Sequence, residues 1–322
     1  MSTLLFLNRA EVEALLPVAE CVDVIDGALR ALTRGEAVQP LRSSLWMPDR
    51  HGLLVTMPGM LGPVVGVKVL TVIPENHLHG EESHQGLVLL FDQERGTPLA
   101  VLDATAVTAI RTAAASGVAT RALARPDAGD LAILGSGTQA VSHLEAMRAV
   151  RTLRRIRVWS RRPESAHRFA AAQGERLGLD VEVLPTAREA VAGADLICTV
   201  TAATEPVLMG EWIAPGAHVN AVGASTPNAR ELDSAAVARA RMYVDRRESA
   251  LAESGDFRMA RDEGAIGEDH LLGELGDVLE GRVPGRRSDE EITLFKSLGI
   301  AVEDLAAGLY LYRKALAAGT AR

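Results

Sequence analysis

Residues 135–140 read Gly-Ser-Gly-Thr-Gln-Ala, directly after the apolar run Leu131-Ala132-Ile133-Leu134. G-x-G-x-x-A between a strand and a helix is the pattern that cradles a dinucleotide. Gly135 permits the tight turn, Gly137 lets the backbone approach a pyrophosphate, and Ala140 keeps the helix close to the sheet. The unpaired amides and the dipole at the helix start then hold the phosphates. At the end of the following strand an NAD site carries Asp or Glu for the ribose hydroxyls. Here the chain has Ser160-Arg161-Arg162. Two guanidiniums and no carboxylate favour a 2′-phosphate, so the expected cofactor is NADPH, with NADP preferred over NAD.

Three cations are candidates for holding a substrate anion. Lys68 lies in the strand-like run VVGVKVLTVI, with Gly66, Leu70 and Val72 on its face. A buried ammonium finds an anion or loses its proton. It would therefore bind a carboxylate or donate a proton, the alternative being an edge lysine that snorkels to water. Gly66 beside it would leave room for a ligand. Arg111 lies in the helical TAIRTAAASG among small neighbours and reads equally as a cleft residue or an exposed helix arginine. Arg42, in PLRSSLW, is a weaker candidate on local grounds. The histidines show no metal-ligand spacing: His77-x-His79 sits in a polar loop, and His84 opens a strand as a proton donor or turn cap. No metal is expected.

These residues need a frame. The chain has 322 residues, about two domains' worth, and is 48% hydrophobic but only 3% aromatic. Its core must be packed from Ala, Val, Leu and Ile. With 34 basic against 42 acidic residues the net charge is −8, which disfavours nucleic-acid and anionic-membrane partners. Only three basic residues are lysines, Lys68, Lys296 and Lys314, so each one is worth explaining. Cys21 and Cys198 cannot make a disulfide scaffold or a Cys-rich zinc site. The N-terminus lacks signal-peptide features, and the apolar stretch 57–74 is interrupted by glycines, prolines and Lys68. The expected setting is cytoplasmic.

Helical periodicity over 10–34 is followed by strands at 53–57, 64–73, 86–92 and 98–103, then an Ala-rich helix over 105–123 with Thr105 as N-cap. From residue 130, strands (131–134, 156–160, 181–184, 195–201, 218–223, 241–245) alternate with helices (138–150, 164–177, 187–193). That rhythm predicts a parallel sheet with helices on both faces. After Pro284 a polar segment leads to a last amphipathic helix over 300–317.

The segments MPG (57–59), GVK (66–68), SHQGLVLLFD (83–92), IRTAAAS (110–116), LGSGTQA (134–140), VGASTPNARELD (222–233), ESGD (253–256) and LFKSLGIAVEDLAA (294–307) occur in this order. Together they resemble the ornithine cyclodeaminase/mu-crystallin family, with detail nearest the mu-crystallin, ketimine reductase branch. The resemblance implies an α/β fold, a Rossmann doubly wound parallel sheet inserted in an α+β substrate and dimerisation domain. The expected bounds are 1–118 plus 298–322 for the latter and 119–297 for the NADP-binding domain. It also implies a homodimer with its active site between the domains. The family's carboxylate-binding groups fall on Arg42, Lys68 and Arg111. Its cofactor residues fall on Gly135, Ser136, Gly137, Thr138, Gln139, Ser160, Arg161, Arg162, Thr199, Thr201 and Val222.

Two positions depart from the family's cyclodeaminases. Ser225 stands where they carry a catalytic Asp, and Val55 where they carry an acid for the substrate's amine. Ser225 matches the mu-crystallin branch. The expected activity is NADPH-dependent reduction of cyclic imino acids, such as Δ1-pyrroline-2-carboxylate or Δ1-piperideine-2-carboxylate. Lys68, Arg42, Arg111 and Ser225 would be its catalytic set, and the partner a small carboxylate-bearing substrate. Competing readings are an amino-acid dehydrogenase or N-alkyl imine reductase, an ornithine cyclodeaminase, and a non-catalytic NADPH-dependent binding protein.

Overall fold

In the computed structural model, which describes residues 4–319, buried Leu5 and Leu7 flank exposed Phe6 in the first strand, β1 (Leu5–Leu7). Asn8 starts α1 (Arg9–Leu15) through a capping box with Glu11. Pro17 then separates α1 from α2 (Val18–Thr33). The single helix expected over 10–34 is therefore two, because proline cannot supply the amide a continuous helix needs. Strands β2 (Ala37–Val38), β3 (Ser43–Trp46), β4 (Leu53–Leu61), β5 (Val64–Val72), β6 (His84–Asp92) and β7 (Pro98–Asp103) follow.

These seven strands form one sheet in the order β1-β7-β6-β5-β4-β2, with β3 also paired to β4. The pairing is antiparallel except for β1 beside β7. Strand β4 runs past Met57, where the sequence expectation stopped, and contains Pro58. Proline is tolerated there because β3 pairs β4 only up to Thr56, and β2 only from Met60. The missing N–H thus faces no strand. Helix α3 (Ala104–Leu123) starts with Asp103 accepting the Ala106 amide at 2.7 Å. The cap expected at Thr105 falls instead to Asp103, and the Thr105 hydroxyl donates to the His84 carbonyl.

The chain divides into two compact units, Met1–Arg111 with Gly299–Arg322, and Thr112–Leu298. In the first, the C-terminal helix (Ala301–Ala317) packs on the sheet: Ala301 and Leu305 meet Gly59, and Leu90 and Leu102 meet Gly308. Gly66 serves this packing rather than a ligand. A Cβ there would lie 2.4 Å from the Leu89 carbonyl oxygen and 2.7 Å from Leu305.

The second unit contains β8 (Asp130–Leu134), α4 (Thr138–Val150), β9 (Arg155–Trp159), α5 (Pro163–Leu177), β10 (Glu182–Val183), β11 (Leu196–Thr199), β12 (His218–Ala221), β13 (Ala240–Val244), β14 (Leu271–Glu274) and β15 (Ile292–Lys296). All eight strands are parallel, in the order β10-β9-β8-β11-β12-β15-β13-β14. This is the doubly wound Rossmann sheet, inserted in an α+β unit. Its order reverses between β8 and β11, the switch point where such sheets take ligands. Strand β15 was hidden in the sequence as the end of a polar segment, yet it is fully buried between β12 and β13. Alanines and β-branched residues fill much of the core, with Tyr243, Phe257 and Phe295 fully buried among them. Among the described residues no helix is long and apolar enough to cross a membrane.

Candidate active site

Lys68 is 2% exposed, which excludes a snorkelling edge lysine. Strand β5 sets it between Met57 on β4 and Val88 on β6. Its Nζ lies 2.7 Å from Asp304 Oδ2 and 3.4 Å from Thr108 Oγ1. Arg111, at 4% exposure, donates Nε to Asp304 Oδ1 at 2.9 Å and Nη1 to Glu303 Oε2 at 2.8 Å. It is thus no exposed helix arginine. Arg42, just before β3, donates to the Gly299 carbonyl at 3.0 Å. Gly299 has φ of 75°, and a Cβ on it would lie 2.6 Å from Arg111 Nη1, so glycine is required for that approach.

The structure therefore brings Lys68, Arg42 and Arg111 together in the first unit. Burial, then the Arg111 charge, pull the Lys68 pKa down to about 8, while Asp304 opposes them. Glu303 and Asp304 lie in the first turn of the C-terminal helix, where the helix dipole favours negative charge. The amide of Val302 is taken by Gln39 Oε1 at 3.1 Å. Asp304 and Glu303 thus pair with Lys68 and Arg111, and Gly299 holds Arg42 next to them. His84 also feels Lys68: crowding by neighbouring protein, and then the ammonium, lower its imidazole pKa. Beside the cluster, Val55, Met57 and Ala301 are buried and Leu53, Leu70 and Val72 pack against them. That wall carries no acid; Val55 pairs across the strands with Leu70.

In the second unit, Gly135 follows β8 with φ of 121°, and a Cβ would meet the Val200 carbonyl oxygen at 2.6 Å. Ala140 is fully buried on α4. Gly137 is the N-cap of α4, with no side-chain cap and nothing within 4 Å of where a Cβ would stand. Protein packing does not require glycine there; an approaching phosphate would. Ser136 and Thr138 flank it, and Gln139 Oε1 is buried without a hydrogen-bond partner among the described residues. A dinucleotide pyrophosphate fits this turn. Ser160 opens the strand-to-helix turn after β9, Arg162 is the N-cap of α5, and both Arg161 and Arg162 are exposed. No hydrogen bond or ion pair to another described residue occupies either guanidinium.

Thr199 and Thr201 follow the opposite half of the switch point. Both hydroxyls donate to Glu231, at 2.8 and 2.7 Å. Their protons are therefore committed within the protein. Val222 is buried after β12 and its amide bonds to the Thr199 carbonyl at 3.0 Å. Ser225 is half-buried further along the same loop.

Residues 3–319 match the ornithine cyclodeaminase/mu-crystallin family. The chain belongs to that family. It is 39% identical over 319 residues to a Delta(1)-pyrroline-2-carboxylate reductase of Bacillus cereus, covering 98% of each chain. It is 41% identical over 314 residues to ketimine reductase mu-crystallin of Mus musculus, covering 95% of this chain and 96% of the relative. The structure of Thermococcus litoralis Delta(1)-pyrroline-2-carboxylate reductase in complex with NADH and L-proline superposes with a TM-score of 0.95, at 39% identity and 98% coverage of both chains. The chain is an oxidoreductase of this family.

Sequence reasoning had not singled out Glu303 and Asp304, although both lie in a quoted family segment. Their signal was adjacent acids in the otherwise apolar GIAVEDLAAGL. Such acids need buried cations, and the apolar strand around Lys68 already called for an anion. Glu231 was missed likewise, since nothing local distinguishes it from a surface glutamate.

Proposed function

We propose that the chain is an NADPH-dependent reductase of cyclic imino acids, taking Δ1-pyrroline-2-carboxylate or Δ1-piperideine-2-carboxylate to the cyclic amino acid. The observation that carries this reading is the buried Lys68–Arg111–Asp304–Glu303 cluster, with Arg42 held next to it at Gly299, beside an acid-free apolar wall. A cyclic imino acid offers one carboxylate and an otherwise apolar ring. Ornithine would present a second amine to Val55, which cannot bind it. The similarity to pyrroline-2-carboxylate and ketimine reductases supports the same substrate class.

In this mechanism Arg42 and Arg111 donate to the substrate carboxylate. Lys68, with its pKa near 8, holds a transferable proton and gives it to the imine nitrogen. Asp304 keeps that ammonium charged until transfer. Ser225 orders the nitrogen or a water. Bound NADPH supplies the hydride for the imine carbon, so the C=N bond gains one hydride and one proton. Gly135, Ser136, Gly137, Thr138 and Gln139 would hold the pyrophosphate, and Ser160, Arg161 and Arg162 the 2′-phosphate. Val222 would border the nicotinamide half.

The homodimer is part of this proposal. Phe6, Val38, Leu45 and Trp46, on strands of the first sheet, are exposed apolar side chains of the kind a second copy covers. The deciding assay follows NADPH and NADH oxidation with both cyclic imines, and with pyruvate plus ammonia or methylamine. Turnover of the cyclic imines without added amine is expected. Turnover only with pyruvate and an amine would instead make the protein an amino-acid dehydrogenase or N-alkyl imine reductase. Activity unchanged in Lys68→Met would remove Lys68 from the chemistry.

A further inference from the structure

A second buried ion pair lies in the nucleotide unit. Lys296 Nζ sits 3.0 Å from Asp256 Oδ2, and both side chains are closed to solvent. Lys296 ends β15, level with Ala221 on β12 and Val244 on β13. It thus stands at the carboxyl edge of the sheet, where Rossmann folds bind their ligands. The other Asp256 oxygen, Oδ1, accepts the main-chain amides of Glu231 at 2.8 Å and Leu232 at 3.0 Å. Ser254 caps the helix Gly255–Asp262 that carries Asp256. Gly255 permits the close approach, since a Cβ there would lie 1.9 Å from the Ala229 carbonyl oxygen.

The Glu231 side chain so fixed is a hub for two loops. It accepts Thr199 Oγ1 at 2.8 Å, the Thr201 amide at 2.6 Å, Thr201 Oγ1 at 2.7 Å and the Gly223 amide at 2.6 Å. Four donors converge on one carboxylate, an arrangement only an acceptor-only group can satisfy. Thr199 ends β11 and Thr201 belongs to the turn after it, while Gly223 belongs to the turn after β12. Gly223 must be glycine: a Cβ would stand 2.0 Å from the Thr201 carbonyl oxygen and 2.6 Å from Glu231 Oε1. The carboxylate therefore ties the two turns to each other at hydrogen-bond distance.

We propose that Glu231, anchored through Asp256 and Lys296, is a positioning residue that sets the β11 and β12 turns for the nicotinamide half of the nucleotide. The inference rests on the nicotinamide-nucleotide reading given above. In a doubly wound sheet the two mononucleotide halves of the ligand lie on opposite sides of the switch point. The β8–β9 side carries the pyrophosphate turn and Arg161-Arg162, so it takes the adenosine half. The β11–β12 side is left for nicotinamide. Thr199 and Thr201 then serve the nucleotide through the backbone they fix, because their hydroxyl protons go to Glu231.

The test compares whole nucleotide with half nucleotide. NADPH, NADH, 2′,5′-ADP and AMP are titrated by calorimetry into wild type, Glu231→Gln and Thr201→Val, with kcat and KM measured for the imine. In Glu231→Gln an amide donor replaces one acceptor oxygen facing four donors. NADPH affinity is expected to fall tenfold or more and kcat to fall with it, while 2′,5′-ADP affinity and the imine KM change less than threefold. Thr201→Val removes one donor and should show the same split at three- to tenfold; it decides the matter if Glu231→Gln does not fold. Equal loss for 2′,5′-ADP and NADPH, or no loss for either, overturns the positioning role. If wild type bound neither NADPH nor NADH, the nucleotide reading itself would be wrong, and the inference with it.

Discussion

Asp304 Oδ2 lies 2.7 Å from Lys68 Nζ, while its Oδ1 takes the Arg111 Nε–H at 2.9 Å. One carboxylate on the C-terminal helix thus bridges a strand lysine and a helix arginine, all three nearly closed to solvent. Breaking a buried pair from one side commonly costs about 3–5 kcal/mol. The bridge also sets the state of the lysine, since burial and Arg111 push its proton off and Asp304 holds it on.

That balance predicts a pH profile. In the proposed reaction Lys68 must be protonated to act, and its pKa is held at about 8. The kcat/KM for imine reduction should therefore decline above about pH 8. In Asp304→Asn the stabilising charge is lost, the lysine pKa falls further, and the alkaline limb moves to lower pH. Lys68→Met should lower kcat at least about a hundredfold, in the range of general-acid contributions, while leaving NADPH affinity unchanged. Steady-state rates from pH 6 to 10 check both; an alkaline limb at the same pH in wild type and Asp304→Asn would contradict them.

The exposed Arg161 and Arg162 predict the cofactor choice. Each hydrogen bond from a guanidinium to a 2′-phosphate contributes about 1.5–3 kcal/mol. Replacing both by Ala should weaken NADPH binding by two orders of magnitude or more and leave NADH within about threefold. Fluorescence titration with both cofactors reads this directly. Equal losses for the two would show that neither arginine reads the phosphate.

Two histidines predict the acid limit of stability. His143 donates Nδ1 to the Gln139 carbonyl at 2.8 Å and pairs Nε2 with Ser116 Oγ at 2.9 Å. Burial lowers its pKa to about 4. Burial and then the Arg286 charge lower that of His218, which pairs with Thr293 and Asn220, to about 3. Both are neutral when folded, and the unfolded chain takes up their protons first, near pH 6.5. Their contribution is whole above pH 6.5 and is lost as pH falls toward 4 and 3. By pH 5 the loss is on the order of 2 kcal/mol per histidine. The melting temperature should drop between pH 7 and 5, and less steeply in His143→Gln. Identical slopes would clear His143 of the effect.

Much of this was legible beforehand. The G-x-G-x-x-A turn, helix α4 and the alternation from residue 130 depend on local spacing, and they stand where spacing put them. Strand β15 did not show, because a short buried strand has no amphipathic alternation to reveal it. Gly66 was misread because glycine in a strand marks close approach without saying what approaches. The structure answers Leu89 and Leu305.

The three lysines mark the boundary between the two kinds of knowledge. Composition alone made them exceptions, and the apolar strand around Lys68 already required a buried charge to find an anion. Lys314 is a surface residue paired with Glu20. Lys296 proves as buried as Lys68. Which anion each one meets was decided only by the tertiary structure. Asp304 and Asp256 are remote in sequence from Arg111 and Glu231, the groups they also hold. Hydrophobic pattern and glycine spacing act over a few residues and can be read along the chain. Pairing of buried charges depends on which elements pack together, and that exists only once the chain has folded.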